Sequence, residues 1–363
     1  MNSVTVAFCD AFEALPVGKA KIPAAKYLLQ GKYPIIDQGQ ANIAGYTNEE
    51  SIVRRENLPL IIFGDHTRCV KVADFPFAVG ADGVRLYRAR MGFDPEYLFY
   101  FLKGARIRND GYGRHSKHLE ALEVPKLNEP EQRRIVSEIK LQLAAVEEAR
   151  QAATAQLREL TRLANAIIRE TLAHPDTEAR SLGDVLDEVK QGVGARWADF
   201  PVLGATRDGL APAKEQVGKH PERYKPVRVG TVFYNPMRIL IGSIAMVDEG
   251  DTPGITSPDY VALRGRESVV DSRWFYYWLR SPEGERCISS LARGAVRERM
   301  LFNRLAEGEI VLPPYPVQQA ASRALAELRP MKQSVEARLR EIERLPQRLL
   351  AEIFDIEEDV EDA

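Results

Sequence analysis

The stretch from Asn128 to Leu172 most constrains the fold, because it predicts one unusually long helix. Asn128 can cap the first turn, Pro130 stands where only the start of a helix tolerates a proline, and Glu131 lies at the positive end of the helix dipole. Apolar residues then recur every three or four positions and form a single seam, interrupted only by Arg150. The seam comprises Ile139, Leu143, Val146, Ala153, Leu157, Leu160, Ala164 and Ile167.

A helix from Pro130 to Leu172 would be on the order of 64 Å long, which exceeds the width of a small domain, so it needs a partner of similar length. The stretch from Val317 to Phe354 supplies that partner, because its apolar residues follow nearly the same spacing. This second seam comprises Leu325, Leu328, Met331, Val335, Leu339, Ile342, Leu345, Leu349 and Ile353. We therefore predict an antiparallel coiled coil formed within the chain, with a globular domain before each helix.

The segments before the two helices repeat one order of motifs. The aromatic helix predicted at 97–102 corresponds to 274–279, and the strand-like 82–86 corresponds to 259–263 at the same offset. Each copy ends in a run of the form Pro-x-Gln that opens a long helix. Two features in one register predict an internal duplication of domain and helix.

These patterns predict an α+β chain with two mixed α/β domains joined by two long helices. The predicted boundaries are domain one at 1–126, the central helix at 127–176, domain two at 177–314, the C-terminal helix at 315–356 and an acidic tail at 357–363. A duplicated chain of this kind can arrange its domains with pseudo-two-fold symmetry, which would give two similar faces a fixed distance apart.

Composition narrows the possible functions. Lys and Arg number 50 against 52 Asp and Glu, a net charge of −2, so a nucleic-acid-binding surface would have to be local. Cys9, Cys69 and Cys287 stand singly, which predicts reduced thiols and neither a disulfide framework nor a zinc site. We predict no metal site.

No apolar run is long enough to span a bilayer and the N-terminus lacks the layout of a signal peptide, so we expect a cytoplasmic protein without membrane contact.

The order and spacing of these motifs resemble the specificity subunit (HsdS) of type I restriction-modification systems, over essentially the whole chain. The resemblance rests on residues 130–136, which open the central helix with Pro-Glu-Gln-Arg-Arg-Ile-Val, on 345–351 near the end of the second helix, and on the doubled plan. Residues 45–48, 64–68 and 234–238 with 242–243 are similar to stretches of the family's target-recognition domains.

The resemblance implies a non-catalytic DNA-recognition subunit. Each domain would be a target-recognition domain that reads one half of a bipartite, gapped sequence in double-stranded DNA, and helix length would set the gap. The helices would dock two methyltransferase subunits, which would bind S-adenosylmethionine, so no cofactor is expected in this chain. Whether restriction subunits also join is left open.

The residues expected to dock a partner are Glu131, Arg133, Arg134 and Arg348. In the second copy, Val317 and Ala320 replace the charged Glu131 and Arg134, so the second docking surface would be less charged.

The candidate DNA-binding residues lie in polar, basic, glycine-containing segments. Cations anchor phosphates and arginine can bridge the guanine edge, whereas the polar side chains between them select bases. The first-copy candidates are Asp65, His66, Thr67, Arg68, Arg106, Arg108, Tyr112, Arg114, His115 and Lys117. The second-copy candidates are Asn235, Arg238, Arg293, Arg297 and Arg299. The alternative for each is a solvated basic loop.

Enzyme active sites are disfavoured by the residues themselves. Asn235-Pro236-Met237 lacks the second proline and the aromatic ring of an adenine methyltransferase motif, and no glycine-rich loop after a strand could seat a methyl donor. Asp176 with Glu188 and Lys190 fits a loose nuclease pattern, but Asp176 falls in the predicted linker. The aromatic run 274–278 has the period of a helix packed into a core, so it does not predict a stacking platform.

Two alternative functions remain. One is the specificity subunit of a related system, in which methylation and cleavage reside in a single partner chain. The other is a coiled-coil scaffold that binds proteins only. The duplicated basic loops favour DNA, because a scaffold has no need to repeat them.

Overall fold

The structure is a computed structural model, and it describes residues 4–18, 21–80, 83–109, 111, 113–214, 217–292 and 299–356. The chain divides into two compact units. Unit 1 comprises Met1–Ala152 with Arg338–Ala363, and unit 2 comprises Ala153–Ala337. Each unit is a mixed α/β domain that also contains a part of both long helices.

Unit 1 contains two four-stranded sheets in the described residues, with strand orders β2-β9-β6-β7 and β4-β3-β8-β5, and a small β1-β10 pair. The strands are β1 (Thr5–Ala7), β2 (Phe12–Leu15), β3 (Tyr33–Ile36), β4 (Gly45–Thr47), β5 (Val53–Arg54), β6 (Leu60–Gly64), β7 (Val70–Ala73), β8 (Phe77–Val79), β9 (Val84–Ala89) and β10 (Glu123–Pro125). The helices are α1 (Phe8–Ala11), α2 (Pro95–Gly104) and α3 (Glu129–Leu172), which continues into unit 2.

Local sequence explains the main elements of unit 1. Strand β6 is a continuous apolar run and is buried along its length, as expected for a strand inside a core. Helix α2 begins where the Asp94 carboxylate accepts hydrogen bonds from the N–H groups of Glu96 and Tyr97, at 2.8 and 3.1 Å. Its apolar face then buries Tyr97 and Phe101 among other core residues.

Unit 2 contains a four-stranded sheet with strand order β12-β19-β16-β17 and the pairs β13-β14, β15-β18 and β11-β20. Its strands are β11 (Glu178–Ser181), β12 (Leu186–Glu188), β13 (Leu203–Thr206), β14 (Gly209–Pro212), β15 (Lys225–Val227), β16 (Thr231–Tyr234), β17 (Ile244–Val247), β18 (Gly254–Thr256), β19 (Val261–Gly265) and β20 (Glu309–Leu312). Its helices are α4 (Leu182–Val185), α5 (Ser272–Leu279), α6 (Pro282–Leu291), α7 (Phe302–Leu305) and α8 (Tyr315–Ile353), which continues into unit 1.

The two units share one topology, which confirms the predicted duplication. The sheets β2-β9-β6-β7 and β12-β19-β16-β17 have equivalent strand orders. A parallel bridge between Val202 and Ile255 joins the β13-β14 hairpin to β18, just as β3 lies parallel to β8 in unit 1. The aromatic run of α5 lies in the core, with Trp274 fully buried, as its helical period predicted.

The long helices pack through their apolar seams. In unit 1, the start of α3 shares a core with the end of α8 through Val136, Ile139, Leu350 and Phe354. In unit 2, the end of α3 shares a core with the start of α8 through Ala164, Ile168, Ala321 and Leu325. This association of opposite ends is that of an antiparallel helix pair. Among the described residues, no helix is both long and apolar enough to cross a membrane.

Candidate nucleic-acid interface

Two of the predicted segments occupy the same position in the two units. Asp65 directly follows β6, and Asn235 directly follows β16, the equivalent strand. Each strand turns back to pair with its successor, β7 or β17, so both residues open a hairpin loop, at 65–69 in unit 1 and 235–243 in unit 2. The equivalence comes from strand pairing, because the two loops differ in length and composition.

In unit 1, Asp65 holds the hairpin loop against the basic loop. Its carboxylate accepts a hydrogen bond from the backbone N–H of Ser116 at 2.8 Å and another from Nε of Arg85 at 3.1 Å. Burial acts to raise the pKa of this carboxyl group, but the hydrogen bonds of Ser116 and the Arg85 guanidinium outweigh it, so the pKa is lowered. The backbone carbonyl of Asp65 accepts from the N–H of His115 at 2.9 Å.

The predicted DNA contacts of Asp65 and His115 need correction. The relative exposure of Asp65 is 2% and that of His115 is 0%. The ring Nδ1 of His115 also lies 2.8 Å from the carbonyl oxygen of Asp65. Side chains enclosed in this way cannot reach a base, so their role is to position the two loops.

The other unit 1 candidates lie nearer the surface. His66 is half-buried, with Nδ1 3.2 Å from the carbonyl oxygen of Gly113, whereas Thr67 is exposed. Arg68 is exposed and adopts a left-handed backbone with φ of 60°, and its guanidinium donates to the carbonyl of Ile107 at 3.0 Å. These bonds connect the hairpin loop to the segment 106–118.

The basic segment itself presents its cations to solvent. Arg106, Arg108, Arg114 and Lys117 are all exposed. Arg114 forms no hydrogen bond or ion pair with the described part of the chain, so its guanidinium is available to a ligand. Tyr112 lies outside the described residues.

In unit 2, three candidates line one pocket of about 540 Å³: Asn235, Arg238 and Arg299. The side-chain oxygen of Asn235 accepts from the N–H of Met237 at 2.9 Å, which shapes the turn. Arg299 is paired with Asp259 at 3.2 Å, whereas the Arg238 side chain is exposed and its guanidinium has no partner in the described chain. Arg293 and Arg297 lie outside the described residues.

The same region contains cations that sequence analysis missed. Arg207 and Lys214 line the pocket with Arg238, although they are distant in sequence. Arg280 donates to the carbonyls of Ile244 and Arg207 at 2.8 and 2.5 Å, which ties the β13-β14 turn to the β16-β17 hairpin. The Asp-Gly pair at 208–209 could have pointed to Arg207, because this pair predicts a tight turn. Arg207 lies in that turn and is exposed.

The hairpin loop of unit 2 also exposes apolar side chains. Met237, Leu240 and Ile241 are each about half exposed, at 52%, 52% and 56%. Ser243 donates to the carbonyl of Ala205 at 2.7 Å, and Nε of Arg207 donates to that of Ile241 at 3.3 Å. These two bonds fix the loop 235–243 to the β13-β14 hairpin, while its apolar side chains and Arg238 remain exposed.

The candidate docking residues all belong to unit 1, although α3 and α8 are far apart in sequence. Arg133 pairs with Glu129, Arg134 with Glu138 and Arg348 with Glu341, at 2.7, 3.7 and 3.7 Å. Glu131 is exposed near the start of α3. These pairs are solvent-exposed, so they contribute little to stability and can exchange for contacts with a partner.

The motif around Arg348 has a packing role as well. Nε2 of Gln347 donates to the carbonyl of Gly104 at 3.0 Å, at the end of α2. The ring of Phe354 packs against Tyr97 and Phe101, with centroids 5.4 and 5.6 Å away. The end of α8 is thus anchored to the core of unit 1.

No protein-family model matches the chain, and no curated protein matches it in sequence. Solved structures nevertheless match it along nearly its full length. The S subunit of a type I restriction-modification system from M. genitalium superposes with a TM-score of 0.51 at 14% identity, over 97% of this chain and 96% of that one. The chain has the type I S-subunit fold.

A chain from a second structure, which concerns complex assembly and conformational transition of the type I R-M system, also superposes on this one. Its TM-score is 0.58 at 18% identity, over 95% of this chain and 97% of that one. The S-subunit fold confirms the predicted architecture of two mixed domains with two long helices. At this identity the likeness concerns the fold, whereas the chemistry depends on the residues described above.

Proposed function

We propose that this chain is the DNA-specificity subunit of a type I restriction-modification complex. The observation that carries the proposal is the hairpin loop that recurs at the same position in each unit, together with an exposed guanidinium that has no partner in the described chain. That guanidinium is Arg114, in the segment beside the loop of unit 1, and Arg238, within the loop of unit 2. Two loops at equivalent positions, with different residues, suit a bipartite target in which each unit binds one half-site.

Local cations carry the electrostatic part of the proposal. The chain has a net charge of −2, so phosphate attraction has to come from clusters such as Arg207, Lys214 and Arg238 around the unit 2 pocket. Guanidinium groups serve both as phosphate anchors and as bidentate donors to guanine. The exposed cations would therefore hold the duplex while neighbouring polar groups select the sequence.

The chain itself would be non-catalytic. We propose that two methyltransferase subunits dock on it, bind S-adenosylmethionine and carry out the methylation, and that restriction subunits complete the complex where the system includes them. Glu131, Arg133, Arg134 and Arg348 are the proposed docking residues of unit 1.

The deciding experiment is long-read methylation mapping of cells that carry this gene with its neighbouring methyltransferase gene, against cells with the methyltransferase alone. The expected result is a new methylated motif in two halves around an unspecified gap. Co-purification of the two proteins without any motif would refute DNA specificity and favour the protein-binding scaffold. Purification of a single partner that both methylates and cleaves would identify the related system.

A further inference from the structure

The two units differ in which hairpin carries the long loop. In unit 1, eight residues (37–44) join β3 to β4 and five (65–69) join β6 to β7. In unit 2, two residues (207–208) join β13 to β14 and nine (235–243) join β16 to β17. The loops have exchanged lengths on a common topology, and binding residues concentrate on loops held by a rigid scaffold.

The long loop of unit 1 is rich in carboxamides, with Gln38, Gln40 and Asn42 at alternate positions. Gln40 and Asn42 are exposed, and neither side chain hydrogen-bonds to the described part of the chain. A carboxamide offers one donor and one acceptor side by side, which is the pattern that pairs with N6 and N7 of adenine in the major groove.

A buried lysine fixes this loop. Lys71 on β7 has a relative exposure of 5%, and its ammonium donates to the carbonyls of Asp37, at 2.9 Å, and Ala41. The Asp37 carboxylate lies 3.8 Å away. A buried ammonium is costly unless its donors are satisfied, so these bonds hold the loop and the lysine to each other.

Gln38 joins the loop to the candidate surface described above. Its side-chain oxygen accepts from the N–H of His66 at 3.3 Å, and its carbonyl accepts from the hydroxyl of Thr67. Gly83 leaves room for it, since a Cβ there would lie 2.5 Å from the Gln38 side-chain oxygen. The exposed amides therefore belong to a preorganised loop next to the hairpin loop 65–69.

We propose that Gln40 and Asn42 read an adenine in the half-site of unit 1, with Lys71 as the positioning residue, whereas unit 2 reads its half-site with the loop 235–243. The inference rests on the proposed function, since it names the base-selecting residues of that surface. It moves base selection in unit 1 from the hairpin loop, where Asp65 is buried, to the neighbouring amide loop.

The test is methylation mapping with the full-length chain and its methyltransferase, for Gln40→Ala, Asn42→Ala and the charge-changing Gln40→Glu. For the alanine variants, one A·T position in one half-site should become degenerate, with roughly 5- to 150-fold less discrimination there and the other half-site unchanged. Gln40→Glu keeps the acceptor but not the donor, so preference should move from adenine towards cytosine, whose amino group donates. Gln151→Ala, an exposed amide on α3, is the matched control and should keep the wild-type motif.

Lys71→Met tests the positioning role, because Lys71 is buried and does not itself reach the DNA. It should relax the same half-site as Gln40→Ala, at a melting temperature that remains above the assay temperature. An unchanged motif in both alanine variants, or equal weakening of both half-sites, would overturn the inference while the wild-type motif still supported the proposed function. If the wild-type chain yields no motif, the proposed function fails and this inference falls with it.

Discussion

The side-chain oxygen of Gln132 accepts a hydrogen bond from the backbone N–H of Asp94, 2.7 Å away, at the point where α2 and α3 begin. The amide nitrogen of Gln132 donates to the carbonyls of Gly92 and Leu127, both at 2.8 Å. Gln318 repeats the arrangement in unit 2, with the N–H of Asp271 at 2.9 Å. Each glutamine is almost fully buried, so one amide fastens each long helix to the domain before it.

We expect Gln132→Ala to destabilise unit 1. The change leaves one buried N–H and two carbonyls without their partner, at a cost of about 3 kcal/mol in the free energy of unfolding. Urea denaturation followed by circular dichroism measures the loss. Gln151→Ala, an exposed amide on the same helix, should change stability by less than about 0.5 kcal/mol. Equal losses in both variants would contradict the role assigned to Gln132.

Asp65→Asn should destabilise the chain in a pH-dependent manner. The lowered pKa means that the ionised carboxylate contributes stability above its ordinary value of 3.8, and that this contribution is lost as pH falls through the folded-state pKa. At about pH 7 the variant should be less stable than wild type by about 1 to 3 kcal/mol, because the buried contacts to Ser116 and Arg85 weaken. The difference should shrink below about pH 4 in denaturation curves. A difference that grows on acidification would contradict this assignment.

Arg114→Ala and Arg238→Ala should affect different half-sites. Neither guanidinium has a partner in the described chain, so each loss should be felt mainly in the complex with DNA, at about 1 to 3 kcal/mol if the contact is bidentate to a base. Binding of the methyltransferase complex to duplexes mutated in one half at a time measures the effect. Arg162→Ala, an exposed cation on α3 that pairs with Glu159, is the control. If either change weakened both halves equally, the assignment of one half-site to each unit would be wrong.

Reversing the charges of Glu131, Arg133 and Arg134 together should reduce recovery of the methyltransferase in a pull-down. Their ion pairs within α3 are exposed, so the chain should stay folded while complementarity with a partner is lost. Reversal of Arg162 and Glu159, an exposed pair of α3 in unit 2, provides the matched comparison. Undiminished recovery with the triple reversal would exclude this surface.

Removing one turn from α3 and one from α8 should change the gap between the half-sites. A helical turn is about 5.4 Å long, and successive base pairs are about 3.4 Å apart, so the preferred gap should shorten by about one or two base pairs. Methylation mapping of the shortened chain reads the gap directly. A motif with the original gap would show that the helices do not act as the spacer.

The apolar periodicity and the internal repetition of the sequence were sufficient to predict the architecture of two mixed domains and two long helices. The seams of α3 and α8 predict two long helices, because an apolar stripe on a charged helix has to be covered along its length. The two copies carry matching apolar runs, so the duplication was visible in the sequence, for example in the helical runs 97–102 and 274–279. The burial of Trp274 follows from the same reasoning.

Which polar side chains the candidate interface exposes depended on tertiary contacts that no local sequence pattern encodes. Asp65 and His115 lie in segments whose polar composition is typical of a binding loop. Strand pairing and the hydrogen bond from Ser116 to Asp65 nevertheless bury both side chains. Lys71 looks like an ordinary strand residue, and its clamp on Asp37 appears only when β7 and the loop after β3 come together. Local sequence sets the helical period of an apolar seam and the strand character of an apolar run, because both depend on neighbours along the chain. The choice of which polar groups remain free depends on neighbours in space, so the fold decides it.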